Sequence, residues 1–595
     1  VKKICDLMEK VLYIVGMASV AVFFVCTTVQ VCSRVFGFQA AFTEEVANAA
    51  LAWCCFIGSA PMVRSNEHFK FTALTEKLKG KSLFADELAG HVFVLIFNLV
   101  VGIYGIKLVQ QFAAWKMTSM PVSKGWSWLC VPIFGLTAAV FSVENIIDCI
   151  KHPDRGQVED AVEKAMKEAE VLVAAFLVLL FAGIPIAYIL GLVALLGISQ
   201  LNSISLITVV QKMFTGLNSF TLLAVPLFVL AANIMNRAKI SEKLIQFCNG
   251  IVGRFPGGLA YANVLVSMLF AGISGSSQAD TAGIGSILIP AMEEEGYNQE
   301  TSVGVTAASS TIGIVIPPSI PMVVYSSVAG ASIGALFLGG VVPGILIGLG
   351  QMFVIFMGNK KYHYPKQDPM SFKDFLKLAI KCLPPVLTPV IIIGGVIGGL
   401  CTATESAAIA CIYAIILGVF VFKNLSLKDV KPLLYDTLRT SATSLFALAT
   451  ANALGQLLSY YNVSTSVQQM FATYFPYKWQ FLLAVIGFYL FLGTFMDAIP
   501  AMILFVPVLM PVATAFGITP VQLGLIIVIT LAVGQVTPPY GLCLLIAGRI
   551  SGMSVQKSFK AVIPYIMVSV VVVVLIAFLP DIAFALPKLI KPEWF

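Results

Sequence analysis

Two proline pairs, Pro317-Pro318 and Pro538-Pro539, each interrupt a long apolar run, and each run is preceded by a second one broken by a polar, glycine-bearing tip. Proline has no amide hydrogen and drives the residue before it out of the helical region, so carbonyls near such a pair lose their intrahelical donors. The first tip, AGISGSSQAD, carries Ser274, Ser276 and Ser277, with Ser319 just beyond its proline pair. The second, FLGTFMDAIP, carries Thr494 and Asp497, with Thr537 at the break. Hydroxyl, carboxylate and carbonyl oxygens together are what a hard monovalent cation requires. Irregular backbone at membrane depth is tolerated where it is buried or lines a cavity, and there its carbonyls suit a sodium ion. Gly272, Gly313, Gly493 and Gly534 let the backbones come close. The expectation is at least two Na+ sites, one drawn from Ser274, Ser276, Gly313, Pro317 and Ser319, the other from Thr494, Asp497, Gly534, Thr537 and Pro538.

Each residue also has a plainer role to weigh. Serine and threonine in apolar segments join helices to one another, and glycine permits packing. Asp497 is harder to explain that way, because an intramembrane carboxylate is costly. Asp280, further into the first hairpin, reads either as a ligand or as the cap of a half-helix. Glu405 follows Thr402 by three residues and reads first as a capping box. Asn233 and Asn452 occupy matching positions in two similar segments, where they either donate to substrate or hairpin backbone or pack between helices.

The elements that would carry these residues follow from composition. The chain has 595 residues, 58% hydrophobic and 11% charged, with a mean hydropathy of +0.93. Soluble domains carry about 25% charged residues. Apolar runs of about 20 residues recur, as bilayer-spanning helices require. An all-α polytopic membrane protein is therefore expected. The net charge of +7 lies in clusters between spans, a topology signal and no nucleic-acid footprint. The 12 cysteines show no C-x-x-C pair, and the four histidines form no metal-ligand pattern. Gly80-Lys81-Ser82 lacks the earlier glycine of a phosphate-binding loop, so the chain is not expected to hydrolyse ATP. The first apolar run is too long for a signal-peptide core and reads as a retained span.

Residues 1–150 form a small module with spans at about 8–32, 44–63, 88–112 and 128–150, both of its ends on the cytoplasmic side by the positive-inside rule. Residues 69–83 read as an amphipathic surface segment. Arg34, Glu44, Glu45 and Arg64, at span ends, read as snorkelling to the interface. A dense run of charge at 151–170 marks a connecting linker or helix. From 171 to 595 the chain repeats itself: Pro317 and Pro538 stand 221 residues apart, as do Pro290 and Pro511, Gly272 and Gly493, and Gly197 and Gly418. The repeats run from about 171 to 358 and from about 385 to 580. Cytoplasmic placement of the basic clusters at 237–254 and 360–381 gives them opposite senses in the membrane, as in transporters that alternate access.

At these strings the chain resembles the tripartite ATP-independent periplasmic (TRAP) transporters, with small and large membrane subunits fused. The resemblance rests on GIPIAYILGLVALLG, PLFVLAANIM, AGISGSSQADTAGIGSILIPAM, GIVIPPSIPMVVY, GLCTATESAAIACIYA and GQVTPPYGLCL. It implies a four-helix small module joined to a large elevator-type module with two re-entrant hairpins and two broken helices. It also implies a sodium gradient as driving force, a soluble periplasmic substrate-binding protein as partner, and an organic acid as substrate, most similar to the sialic acid (N-acetylneuraminate) members. The location implied is the bacterial inner membrane, with lipid around the spans and no organic cofactor. Anion import fits the residues: hydroxyls and helix N-termini receive a carboxylate beside bound sodium. Ser274, Ser276, Ser277, Ser319 and Ser326 are the candidates shared between substrate and sodium.

Two other functions compete. A stand-alone sodium-coupled dicarboxylate or anion transporter shares hairpins and repeats and needs no binding protein, but it does not explain residues 1–150. A membrane-embedded enzyme needs a nucleophile, acid or metal constellation, and Asp280, Asp497 and Glu405 have no histidine near them in sequence.

Overall fold

The computed structural model describes residues 2–65, 68, 81–151, 175–176, 178–180, 182–201, 204–368, 370–461, 463–494, 496–538 and 541–592. The expected surface segment at 69–83 lies outside them except for the backbone of its last three residues, and the linker at 151–170 except for Lys151. The protein is all-helical in design. The small module comprises α1 (Lys2–Phe36), α2 (Phe42–Ser65), α3 (Lys81–Ala113), the single turn α4 (Gly125–Trp128) and α5 (Cys130–Lys151). The first half of the large module follows with α6 (Ile186–Gln200), α7 (Ile207–Thr215), α8 (Ala224–Arg237), α9 (Ile240–Val252), α10 (Gly258–Ser274), α11 (Ser277–Glu294), α12 (Gln299–Ser310), α13 (Ile320–Ala329) and α14 (Ile333–Tyr362). The second half holds α15 (Phe372–Ile397), α16 (Ala403–Ile416), α17 (Val430–Tyr460), α18 (Val463–Tyr474), α19 (Lys478–Gly493), α20 (Ala498–Ala515), α21 (Pro520–Gly534), α22 (Leu542–Ser551), α23 (Val555–Phe578) and α24 (Asp581–Ile590). Among the described residues, 10 helices are long and apolar enough to cross a membrane, those of the small module included.

The chain divides into two compact units. The first contains Val1–Pro226, Leu434–Ser466 and Ile503–Val508. In it α1 packs on α2, and α3 and α2 pack on α5. Small residues set the spacing: Gly135 of α5 faces the backbone of Gly102 in α3, leaving no room for a Cβ. The α17 side chain Leu438 lies where a Cβ on Gly16 or Gly58 would stand, and Ser59 Oγ donates to the Ala442 carbonyl at 3.1 Å. Phe56, Phe97, Phe134, Tyr188 and Phe446 form a buried aromatic cluster with His68 at its edge.

Arg64 does not snorkel. Its guanidinium reaches Asp6 at 2.6 Å, Glu9 at 2.5 Å and Glu144 at 2.7 Å, and its side chain is 15% exposed. One arginine therefore ties α2 to α1 and α5. Glu45 likewise has local work, accepting from the Thr118 and Ser119 amides at 2.8 Å each. Removing the guanidinium leaves three carboxylates facing one another. Arg64→Leu is expected to destabilise the small module by about 2–4 kcal/mol, and Arg64→Lys to recover only part, since the bidentate grip on Glu144 needs the planar fork. Thermal unfolding in detergent measures both.

The second unit contains Leu227–Leu433, Val467–Met502 and Leu509–Phe595. Here α11 lies against α10 as one hairpin, both pack on α12, and α11 and α12 also meet α22. In the other half α19 packs on α21 and α23, while α13 packs on α21. Side-chain caps satisfy first-turn amides at three helix starts: Ser276 caps α11, Asn298 caps α12 and Ser319 caps α13. Thr402 and Glu405 form a full capping box at α16, the local role the spacing predicts.

Candidate functional site

The first hairpin turns at Gly275-Ser276, between α10 and α11. Gly275 takes a φ of +61°, which a residue with a Cβ adopts at a cost, and a Cβ there would press on the Pro318 carbonyl. Its own carbonyl accepts from the Ile320 amide at 3.3 Å, so the hairpin tip and the proline break are joined through backbone. Between α12 and α13 the chain passes through a 3-10 turn (Thr311–Ile314) and the Pro317-Pro318 break, whose peptide bond is cis. Among the described residues no donor reaches the carbonyls of Pro317 or Pro318.

Ser274, Ser277 and Asp280 all lie at this hairpin tip, which the Gly275 contact joins to the break. Asp280 is fully buried and accepts a short hydrogen bond from Ser274 Oγ, which in turn accepts from the Ser276 amide at 3.3 Å. The second carboxylate oxygen of Asp280 and the hydroxyl of Ser277 are buried with no hydrogen-bond partner among the described residues. That oxygen stands against Gly313, where a Cβ would collide with it. Asp280 is thus no cap; Ser276 caps α11, accepting from the Ala279 amide. A buried carboxylate oxygen and a buried hydroxyl are expensive when unsatisfied. A small cation beside Asp280 would satisfy its free oxygen, so the residues present fit one.

The second tip differs. Asp497 occupies the N-cap position of α20 with no side-chain cap hydrogen bond, and it is 6% exposed. It does not stand alone at its tip. Its Oδ1 accepts from the side-chain amide of Gln278 at 3.3 Å and from that of Gln535 at 3.4 Å. Gln278 belongs to α11 of the first hairpin, so one carboxylate joins the two repeats. Gln535 follows α21, next to Gly534, which meets Gly493 of α19 backbone to backbone with no space for a Cβ on either. Both glutamines were missed in the sequence, where a neutral amide inside an apolar string carries no charge signal.

The remaining candidates fall as follows. Ser319 Oγ donates to the Ile314 carbonyl at 2.6 Å and accepts from the Met322 amide at 3.3 Å while staying beside the break. Thr494 Oγ donates to Phe491 at 2.7 Å and Thr537 Oγ to Val533 at 2.9 Å, which leaves the lone pairs of both oxygens available. Ser326, near the far end of α13, donates to the Ala331 carbonyl at 2.7 Å, a local closure of that helix end. Asn452 donates to Leu448 at 2.9 Å and packs over Gly216, a structural role. Asn233 lies in α8 in the second unit and Asn452 in the first. Glu405 is held by Thr402 at 2.7 Å through its capping box. Pro538 is described, whereas Pro539 lies outside the described residues.

An all-helical polytopic protein with buried carboxylates at hairpin tips and proline-broken helices defines a membrane transporter. Comparison with known families makes it specific. Residues 173–582 match the tripartite ATP-independent periplasmic transporter, DctM component, and residues 23–152 match the DctQ component of the same transporters. The chain belongs to this TRAP family, with both membrane components in one polypeptide.

Relatives agree over most of its length. An isethionate TRAP transporter permease protein from Oleidesulfovibrio alaskensis is 31% identical, the match covering 91% of this chain and 88% of that one. A sialic acid TRAP transporter permease protein from Haemophilus influenzae is 29% identical, covering 97% and 98%. A C4-dicarboxylate TRAP transporter large permease protein from Pseudomonas aeruginosa is 35% identical, covering 67% and 93%. The protein is accordingly a multi-pass inner-membrane permease for secondary transport of organic acids, a family whose members work with a periplasmic substrate-binding protein.

Proposed function

We propose that this permease imports an organic acid anion, sialic acid first among the candidates, together with sodium ions, by an elevator movement of the hairpin-bearing part. The observation that carries this reading is the pair of buried carboxylates. Asp280 and Asp497 are deep in an apolar helical protein, and among the described residues neither makes an ion pair with lysine, arginine or histidine. A carboxylate kept there without a cation of the chain is functional by default. Sodium supplies the missing charge: Asp280, Ser274, Ser277 and the backbone at Gly313 would hold one ion, and Asp497 with the Thr494 and Thr537 hydroxyls would hold another. Once neutralised, each tip can accept the acidic group of a substrate beside the helix N-termini of α11 and α20.

Chemistry common to the relatives' names supports an organic acid as the substrate class. Sialate, isethionate and C4-dicarboxylates each present a carboxylate or sulfonate, and one full-length relative carries the sialic acid name. Proteoliposomes containing the full chain test the reading. With an inward sodium gradient and the cognate binding protein loaded with radiolabelled sialic acid, uptake should appear, and it should vanish when potassium replaces sodium. Equal uptake in potassium would overturn the sodium assignment. Uptake of isethionate or a C4-dicarboxylate in place of sialic acid would overturn the substrate while leaving the class intact. Uptake of free substrate without any binding protein would favour the stand-alone alternative.

A further inference from the structure

We infer that the first three turns of α15, in the connection between the two repeats, are a binding site for anionic phospholipid headgroups. The argument begins with spacing. Lys373, Lys377 and Lys381 recur every four residues, and Phe372, Leu376, Ile380 and Leu383 recur at intervals of four, four and three. At about 100° per residue each set forms a stripe, and the two stripes stand roughly 100° apart around the helix.

A third face looks inward. Phe375 stacks on Phe247 of α9 with ring centroids 5.8 Å apart, and Cys382 Sγ donates to the Lys243 carbonyl at 3.3 Å. Residues 375, 378, 379, 382 and 385 make up this side, none of them exposed. The helix therefore has three faces, one against protein, one apolar and open, one basic and open. Phe372 is 78% exposed, Ile380 64% and the Lys377 side chain 66%.

An open apolar stripe flanked by lysines is the pattern of a helix set in the headgroup region, with its apolar row in the acyl boundary and its cations at phosphate level. Charge favours an anionic lipid. Residues 360–381 contain six lysines against two aspartates. Asp374 offsets only part of this, lying 3.7 Å from Lys377. Beside the start of the helix lies a cleft of about 420 Å³ whose wall includes Arg254, Asn249, Gln367, Asp368, Phe372 and Phe375. Its lining combines a guanidinium and side-chain amides, which suit a phosphate, with aromatic rings, which suit the apolar part of a phospholipid. Asp368 also lines the cleft and disfavours a headgroup of higher negative charge.

The test uses the purified full chain, delipidated in detergent and then exposed to phosphatidylglycerol or to phosphatidylcholine, with bound lipid counted by native mass spectrometry. Wild type should retain phosphatidylglycerol, less so at high ionic strength. The triple variant K373Q/K377Q/K381Q should bind it about tenfold more weakly, with phosphatidylcholine unaffected, and the charge-conserving triple K373R/K377R/K381R should bind as wild type does. All three lysines are exposed, so folding is monitored by the elution profile and by the arginine variant. Undiminished phosphatidylglycerol binding in the glutamine triple would overturn the proposal. So would an equal loss in a control triple at Lys2, Lys3 and Lys10.

Discussion

Asp497→Asn should lower sodium-driven uptake by about 100-fold while the protein elutes and unfolds as wild type does. The substitution preserves shape and removes charge. In the native arrangement Oδ1 accepts from Gln278 and Gln535, and asparagine still offers one carbonyl oxygen to those amides. The fold therefore loses little. What disappears is the negative charge that would offset a cation at the tip of the second hairpin, a contact of about 2–3 kcal/mol in a low-dielectric site. Gln278 comes from the first hairpin, so its hydrogen bond to this side chain links the two repeats. A Gln278→Leu companion should show reduced coupling with milder loss of uptake. Wild-type sodium dependence in Asp497→Asn, measured as initial uptake rate against external sodium, would remove this residue from the cation site.

Asp280→Asn is the second large effect, and its readout is binding. Asp280 is wholly buried, with one oxygen taken by Ser274 and the other facing Gly313 without a donor among the described residues. An uncompensated buried carboxylate destabilises the protein until something neutralises it. Without sodium the asparagine variant should thus unfold at or above the wild-type temperature. With sodium at 100 times its dissociation constant, wild type should gain about 2.7 kcal/mol, and the variant should gain nothing from that site. Gly313→Ala should reproduce the loss by steric means, because its Cβ would occupy the space beside the carboxylate. The two variants separate charge from volume. A sodium-induced shift of wild-type size in both would exclude this pocket as a cation site.

How much of this was legible in the sequence varies with distance along the chain. The spans of the small module, the proline breaks and the Thr402–Glu405 capping box depend on neighbours within one helix, and periodicity and spacing reveal them. Arg64 shows the opposite case. Its partners lie 58, 55 and 80 residues away at Asp6, Glu9 and Glu144, and its place at a span end carries no local sign of them. Gln278 and Gln535 are 219 and 38 residues from Asp497 and carry no charge to betray the contact. Repetition supplied what locality could not. The 221-residue offset between the proline pairs also carries Ser276 onto Asp497, and both prove to be N-cap positions of the returning helix in their hairpins. The same backbone place holds a hydroxyl in one repeat and a carboxylate in the other. For Asp280 the offset falls on Ala501, so the two candidate cation sites are not copies in composition.

The seat of Leu438 between Gly16 and Gly58 bears on why one polypeptide serves where two could. That leucine comes from α17, a helix of the DctM-matching part, yet the small module has kept two glycines free for it, and its Ser59 hydroxyl donates to the Ala442 carbonyl of the same helix. Adhesion between the components is thus written into helix faces more than 350 residues apart in sequence. A ribosome making this chain delivers the components in equal numbers, and each nascent large component meets its small one at an effective concentration that no pair of separate subunits enjoys. The covalent join governs supply, and the glycine notch governs fit.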